Sequence, residues 1–466
     1  MPNKDRPNVV LVSMDATRAD HLSCYGHERL TSPNLDRLAE RAVLYERCIS
    51  PACWTLPSHA SMFTGLYPSQ HGTHFGNQAL SARFSTLAEA LRSEGYQTCG
   101  FCANAWLDRS FGFGRGFDTY RLRSSITEAV LRLGKAGRLA AKAFEKLYLS
   151  KGGRTSRSTI RWIRQWFSKV RTRGRPFFLF ALFSDPHLPH SVHAGARRFL
   201  GPDAAKASRI LQDPHRFIVN GSAMTEWECD LISRRYDSQI ACMDERIGEL
   251  LDILGHNCSL EDTLIIVTSD HGENLGDHGL MAHQYCLYET LIHVPLIIHF
   301  PSSRGLRGVT VPGLVQTHEI FATVLDAAGV DRRSLPNDST GRVLLPATVS
   351  TEPIPFAISE ELFPNLRRIR RVFPNFDCTR FERQLRSLRT DRYKFIWASD
   401  GSNELYDLEK DPGETRNLCA VEPERARSME AQLEAWLASI RPYEGPASEV
   451  QCDEIVAERL KGFGYL

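Results

Sequence analysis

The stretch "DTLIIVTSDHGENLGDHGLMAH", residues 262–283, joins a short run of aliphatic and β-branched residues to an acid, a histidine and a glycine-punctuated loop. Two other segments share its form: "NVVLVSMD" ends at Asp15 and "FFLFALFSD" at Asp185. Each is a nearly continuous apolar run of strand length, which suits a strand covered on both faces. Amphipathic stretches separate them, among them "SPNLDRLAERA", "STLAEALRSEG" and "YDSQIACMDERIGELLDIL". This alternation predicts an α/β fold, a mostly parallel sheet between helix layers. Ligands bind beyond the carboxyl ends of such strands, so three carboxylates are expected at one edge. A strand-end Asp also serves as an ordinary cap of the next helix or turn. Asp270 is different because His271 follows it at once. With Asp15 from another strand, the two make a candidate metal site of mixed oxygen and nitrogen ligands.

The 466 residues are 42% apolar and 24% charged, with a net charge of +2. That balance is ordinary for a soluble globular chain and gives no reason to expect nucleic acid. No apolar run approaches the ~18 residues of a membrane span, so no integral membrane segment is expected. "MPNKDRP" leads straight into the first apolar run, without a leader-like stretch. A cytoplasmic location follows as an expectation, with the twelve cysteines mostly reduced and buried. Residues 121–175 hold sixteen Lys/Arg against two acids. They read as a solvated basic helical insertion packed through Trp162, Trp166 and Phe167, or else as a positive lid that attracts anions.

"ACWTLPSHASMFTG", residues 52–65, offers several hydroxyls and a thiol ahead of a helix-like run. Pro57 fits the first turn of that helix and Gly65 its end. Thr55 stands just before the helix N-terminus, where free N–H groups favour an anion. Read alone, Thr55 is an N-cap before it is a nucleophile.

The stretch "TLPSHASMFTG" resembles the sulfatase signature, Cys/Ser-x-Pro-Ser-Arg followed by Thr-Gly. Other elements of that family arrive in its order: "NVVLVSMDATRADHLSCYG", "SDPHLPH", "TSDHGENLGDHG", "YETLIHVPLII", "LRTDRYKFI", "ELYDLEKDPGETRNL" and the terminal "LKGFGYL". The resemblance spans essentially the whole chain and identifies a sulfatase-type member of the alkaline phosphatase superfamily. It implies a catalytic domain over residues 1–348 and a smaller C-terminal α+β subdomain with an antiparallel sheet over 349–466.

The departures shape the expected chemistry. The family's formylglycine is made from a cysteine at the position of Thr55, within a motif whose arginine is here His59. Cys53 is out of register, so formylglycine is excluded. Ala16 replaces the second of two adjacent acids after the first strand, and His271 stands in a usual Asp-Asn pair. Trading a carboxylate for an imidazole moves the site from Ca²⁺ or Mg²⁺ towards Zn²⁺ or Mn²⁺. The set is similar to the threonine-nucleophile phosphotransferases and phosphodiesterases of the superfamily. That similarity implies a metal held by Asp15, Thr55, Asp270 and His271. It gives His187 and His283 catalytic, anion-contacting roles or a weaker second metal, with Asp185 beside His187. Asn104, His59 and Arg18 are the candidate substrate contacts.

A threonine ester, unlike a formylglycine hydrate, has no internal exit and must be opened by in-line attack at the central atom. Phosphorus accepts that attack readily when charge is spread over cationic groups. Hydrolysis of phosphodiesters or phosphonate esters is therefore the expected activity on a small anionic ester. Sulfuric ester hydrolysis and phosphoryl transfer to an alcohol are the alternatives, and a non-catalytic binding protein is the rival of another class. The tail "YEGPASEVQCDEIVAERLKGFGYL" would fold back or reach a second copy, which leaves an oligomer open.

Overall fold

The structure, a computed structural model, describes residues 6–122, 154–190, 197–210, 212–220, 224–351 and 353–446, and residue 450. Strand β1 (Asn8–Met14) lies between β5 (Phe177–Phe183) and β6 (Thr263–Thr268), parallel to both. Outward on one side come β3 (Gln97–Cys102) and β4 (Thr119–Leu122). On the other side stand β9 (His293–His299), β2 (Val43–Ile49) and β10 (Val309–Gln316). Only β9 runs against its neighbours, pairing antiparallel with both β2 and β6.

The expected covering of both faces is realised residue by residue. Val9, Leu11, Phe178, Phe180, Leu264 and Ile266 face one core, which the helices Thr55–Thr64, Leu87–Ser93 and Glu319–Ala328 share. Val10, Val12, Leu179, Ala181, Ile265 and Val267 face the other. There the long helix Glu226–Asn257 packs, with Pro33–Ala39 and Arg154–Lys169 beside it. All seven residues of β5 are buried, which is why that strand shows no polar alternation.

The basic segment falls partly outside the described residues, since 123–153 are not among them. Its last helix, Arg154–Lys169, packs Ile160, Ile163, Trp166 and Phe167 into the second core, with Trp162 at its margin. A two-stranded ribbon, β7 (Asn274–Leu275) and β8 (Met281–Ala282), shapes the loop after β6. A separate antiparallel sheet, β11 (Ala357–Glu361), β12 (Leu385–Arg389), β13 (Tyr393–Ala398) and β14 (Glu404–Asp407), is backed by the helix Pro423–Ser439. Gln316, at the end of β10, accepts from Ile358 N and donates to Ile358 O, joining the two sheets. The tail beyond residue 450 lies outside the described residues. Among those residues no helix is long and apolar enough to cross a membrane, and the eleven cysteines are free thiols.

Candidate active site

Parallel strands deliver their C-terminal loops to one edge, and that edge collects the chemistry. Asp15 directly follows β1, Asn104 follows β3, His187 follows β5, and Asp270 and His271 follow β6. The loop after β2 leads into the helix Thr55–Thr64. Asp15, Asp270 and His271 each offer one ligand atom, all within 4.8 Å of one another, and all three residues are fully buried.

Asp15 and Asp270 show why this cluster suits a cation. Oδ1 of Asp15 and Oδ2 of Asp270 are buried without a hydrogen-bond partner, which is costly for carboxylate oxygens unless a cation faces them. Burial and the neighbouring Asp15 push the Asp270 carboxyl well above the usual range. Asp15 feels the same burial, but His187, His271 and the amide of Asn104 hold it below the usual range. Backbone N–H groups of Ala16 and His271 donate to Asp270 Oδ1 at 3.2 and 3.0 Å, orienting its other oxygen. Ala16 reaches that position in the left-handed region, at φ 58°, a conformation that costs a non-glycine residue. Tyr236 braces the turn by donating to Ala16 O at 2.6 Å and accepting from Arg18 N at 2.9 Å.

His271 Nδ1 donates to Gly272 O at 2.8 Å, so the neutral ring carries its lone pair on Nε2. Nε2 lies 3.3 Å from Thr55 Oγ1, 3.4 Å from Asp270 Oδ2 and 3.7 Å from Asp15 Oδ1. Burial and the adjacent His283 drop the His271 pKa to about 3, which keeps the ring a neutral ligand type. Two carboxylates and an imidazole at this spacing fit a divalent cation.

Thr55 is the first residue of its helix rather than the cap expected before it; Trp54 occupies the cap position, without a side-chain bond. The Thr55 hydroxyl is thereby turned to the cluster. Asn104 Nδ2 donates to Thr55 Oγ1 at 3.2 Å and to Asp15 Oδ2 at 2.9 Å, bridging the two. Gly65 ends the helix at φ 73°, as its sequence implied.

His59 lies beneath Thr55. Its Nδ1 donates to Thr55 O at 2.8 Å and its Nε2 accepts from Ser13 Oγ at 3.1 Å. With both ring nitrogens engaged and no exposed surface, His59 supports the helix and does not face a substrate. Arg18 is likewise committed, to Asp20 at 2.7 Å and Asp277 at 3.0 Å. Cys53 donates its thiol to Glu361 Oε2 at 2.8 Å, and Ser58 donates to Asp270 O at 2.7 Å. Both therefore serve the scaffold. Asp185 is buried but is not part of the three-residue ligand cluster.

His187 and His283 come together, with ring centroids 4.7 Å apart, and His283 stacks on His271 at 4.2 Å. His187 Nδ1 donates to Leu188 O at 2.6 Å. His283 Nδ1 donates to Glu273 Oε1 at 2.9 Å, and Leu188 N donates to the other oxygen of Glu273 at 2.9 Å. Glu273 thus orients both histidines, one directly and one through its neighbour's backbone. Sequence reasoning passed over it. The signal was available: Glu273 stands two residues after His271, in the same loop, and a buried imidazole needs an acceptor for its second nitrogen.

A mostly parallel α/β sheet with an acid–imidazole cluster and an adjacent hydroxyl at its carboxyl edge defines a hydrolase of anionic esters. Residues 7–330 match the Sulfatase family profile, and residues 276–442 match that of the N-sulphoglucosamine sulphohydrolase C-terminal region. This chain belongs to the sulfatase family, within the alkaline phosphatase superfamily. It is 25% identical to the sulfatase YidJ of Escherichia coli (strain K12), over 89% of this chain and 83% of that protein. It is 26% identical to arylsulfatase K of Rattus norvegicus, over 92% of this chain and 77% of that protein. The phosphonate monoester hydrolase of Agrobacterium radiobacter superposes with a TM-score of 0.75 at 25% identity, covering 93% of this chain and 96% of that one. The chain is accordingly a hydrolase of sulfuric or phosphoric esters from a metal-dependent family.

Proposed function

We propose that this protein hydrolyses phosphodiesters or phosphonate monoesters, with Thr55 as the nucleophile. The observation that carries the reading is the Thr55 hydroxyl at a helix N-terminus, held between Asn104 and His271 beside two orphaned carboxylate oxygens. The likeness to a phosphonate monoester hydrolase supports the phosphorus preference. A divalent cation, Zn²⁺ or Mn²⁺ by ligand type, would be held by Asp15, Asp270, His271 and Thr55, lowering the hydroxyl pKa and offsetting phosphoryl charge.

The residues perform two displacements. Thr55 Oγ forms a bond to phosphorus as the bond to the leaving alcohol breaks, and the hydroxyl proton passes to solvent. His187 and His283 face the non-bridging oxygens, and His187 protonates the departing alcohol oxygen, since burial and His187 hold His283 neutral with its Nδ1 proton on Glu273. Asn104 keeps Thr55 in line, and the free N–H groups of the helix N-terminus face the developing charge. Water then attacks phosphorus opposite Thr55, giving one proton to the same histidine, while the bond to Thr55 Oγ breaks and that oxygen takes a proton from solvent to restore the hydroxyl. Sulfate esters would fit the same anion pocket, but the threonine ester makes the second displacement at sulfur the slower chemistry. A cytoplasmic setting and a second cation at His187 and His283 belong to the same reading.

The test uses metal-stripped protein, wild type and Thr55→Ala, reloaded with Zn²⁺, Mn²⁺, Mg²⁺ or Ca²⁺. Each sample is offered an aryl sulfate, a phosphate monoester, a phosphodiester and a phosphonate monoester. Turnover of the phosphorus diesters or phosphonate by wild type alone supports the reading; preferential sulfate turnover overturns its substrate side.

A further inference from the structure

His187 and His283 also line a cavity of about 320 Å³. This is the low end of small-molecule pockets, enough for one ring and its substituents rather than an extended chain. Leu188 and Met281, from a small apolar cluster shared with Phe217, make one wall, and Tyr285 contributes to another. The polar groups lie with Arg368, on the short helix Arg367–Val372, and with Asp213 and His215.

The acid partner of Arg368 is shared. Asp213 is the carboxylate, and it is shared by Arg368 Nη2 at 3.3 Å, Arg216 Nε at 4.0 Å and His215 Nδ1 at 3.6 Å. Arg216 is 58% exposed and does not line the cavity, so Arg368 is the guanidinium there. Arg368 makes a single hydrogen bond among the described residues, through one of its five N–H donors, and its side chain is 28% exposed. His215 is 7% exposed, and its Nδ1 is buried without a hydrogen-bond partner. A cavity with apolar walls and an arginine with spare N–H donors suits an anion carried on a hydrophobic ring.

We infer that this cavity takes a ring-sized leaving group bearing its own anionic substituent, with Arg368 as the partner of that second anion. The inference rests on the reaction proposed above, because His187 and His283, which would face the reacting ester, also line this cavity. It goes further by naming a substrate with two negative centres, one at the reacting ester and one on the leaving group. Arg368 is then a specificity residue that touches the leaving group and takes no part in bond breaking.

The experiment compares two phenylphosphonate esters, of 4-nitrophenol and of 5-hydroxy-2-nitrobenzoate, which differ by one carboxylate. Wild type is expected to favour the carboxylated ester in kcat/KM by about tenfold or more, as a charge-assisted pairing in a half-buried pocket supports. Arg368→Gln should lower kcat/KM for the carboxylated ester about tenfold more than for the neutral one, bringing the two to parity, and Arg368→Lys should restore part of the preference. Parity in wild type, or an equal loss on both esters in Arg368→Gln, overturns the inference. Calorimetry with the two free phenols gives a readout independent of turnover. Tighter binding of 5-hydroxy-2-nitrobenzoate that disappears in Arg368→Gln supports the inference, and equal binding overturns it. Failure of wild type to cleave any ester with any metal would sink the proposed reaction, and the binding data would still decide the cavity's preference.

Discussion

The Thr55 hydroxyl oxygen stands 3.3 Å from Nε2 of His271, a residue 216 positions later in the chain, and both side chains are fully buried. Everything proposed for the reaction depends on that contact, so its first test is substitution at Thr55. Thr55→Ala should lower kcat on phosphonate esters by about 10³-fold or more, the scale on which nucleophiles are lost. Thr55→Ser, which keeps the oxygen, should retain measurable turnover. Metal content by mass spectrometry should stay near wild type in both, since three ligands remain. An alanine variant as active as wild type removes Thr55 from the mechanism.

Glu273 accepts from His283 Nδ1 and from Leu188 N while fully buried. Glu273→Gln keeps the shape but weakens both orienting bonds. A drop of about 10–100-fold in kcat is expected, the range found when the partner of a site histidine is lost. KM should change little, and the acid limb of the pH–rate profile should move. An unchanged profile with a uniform loss would mean Glu273 only holds the loop in place.

Metal removal should be felt more strongly as pH rises. Asp270 has its folded pKa raised by burial and by Asp15. A raised carboxyl favours the fold while protonated, and that contribution is lost as pH climbs through the folded value, from about 4 upwards. Metal-free protein should therefore lose thermal stability with increasing pH, and added Zn²⁺ or Mn²⁺ should raise Tm most at the alkaline end. Asp270→Asn should flatten the metal-free profile and abolish the metal response. A metal-induced Tm shift that persists unchanged in Asp270→Asn rules Asp270 out as a ligand.

A second buried carboxyl gives a cleaner titration. Burial pushes Glu361 up to about 7, against the opposing effect of the Cys53 thiol that donates to it. Stability held by the protonated form should fade as pH rises from about 4.5 to about 7, by at most about 1.4 kcal/mol per pH unit for one proton, and level off above. Glu361→Gln cannot ionise, so its denaturation midpoint should gain on that of wild type between about pH 4.5 and 7 and keep a constant lead above. Parallel pH profiles for the two proteins would show that Glu361 does not titrate in this range.

Gly272 separates His271 from Glu273 where the loop presses on a neighbouring turn. A Cβ there would stand 2.0 Å from Thr290 O and 3.0 Å from Arg18 Cγ. Backbone cannot yield as a flexible side chain does, so Gly272→Ala should cost about 2 kcal/mol or more in urea unfolding and lower activity with it. A variant as stable and active as wild type would show that this approach is not required.

Much of this protein is legible from its residues in order. The runs ending at Asp15, Asp185 and Asp270 announce parallel strands because a strand buried on both faces has no polar alternation to show, and β1, β5 and β6 are such strands. Asp270 and His271 stand side by side, so half of the ligand cluster is readable as soon as the strand is. The family signature supplied the remaining names. What the order of residues leaves open is which partner each side chain takes. His59 and Arg18 sit beside the right motifs, yet one is bound on both nitrogens and the other is paired with two acids. Glu273 reads as a loop acid until His283 and Leu188 are brought to it. The shared acid of Arg368 is Asp213, more than 150 positions earlier, and only the folded chain brings them together. Periodicity and local propensity are properties of neighbours in sequence and survive in the string. Desolvation, hydrogen-bond commitment and charge balance belong to neighbours in space, and only the folded chain decides them.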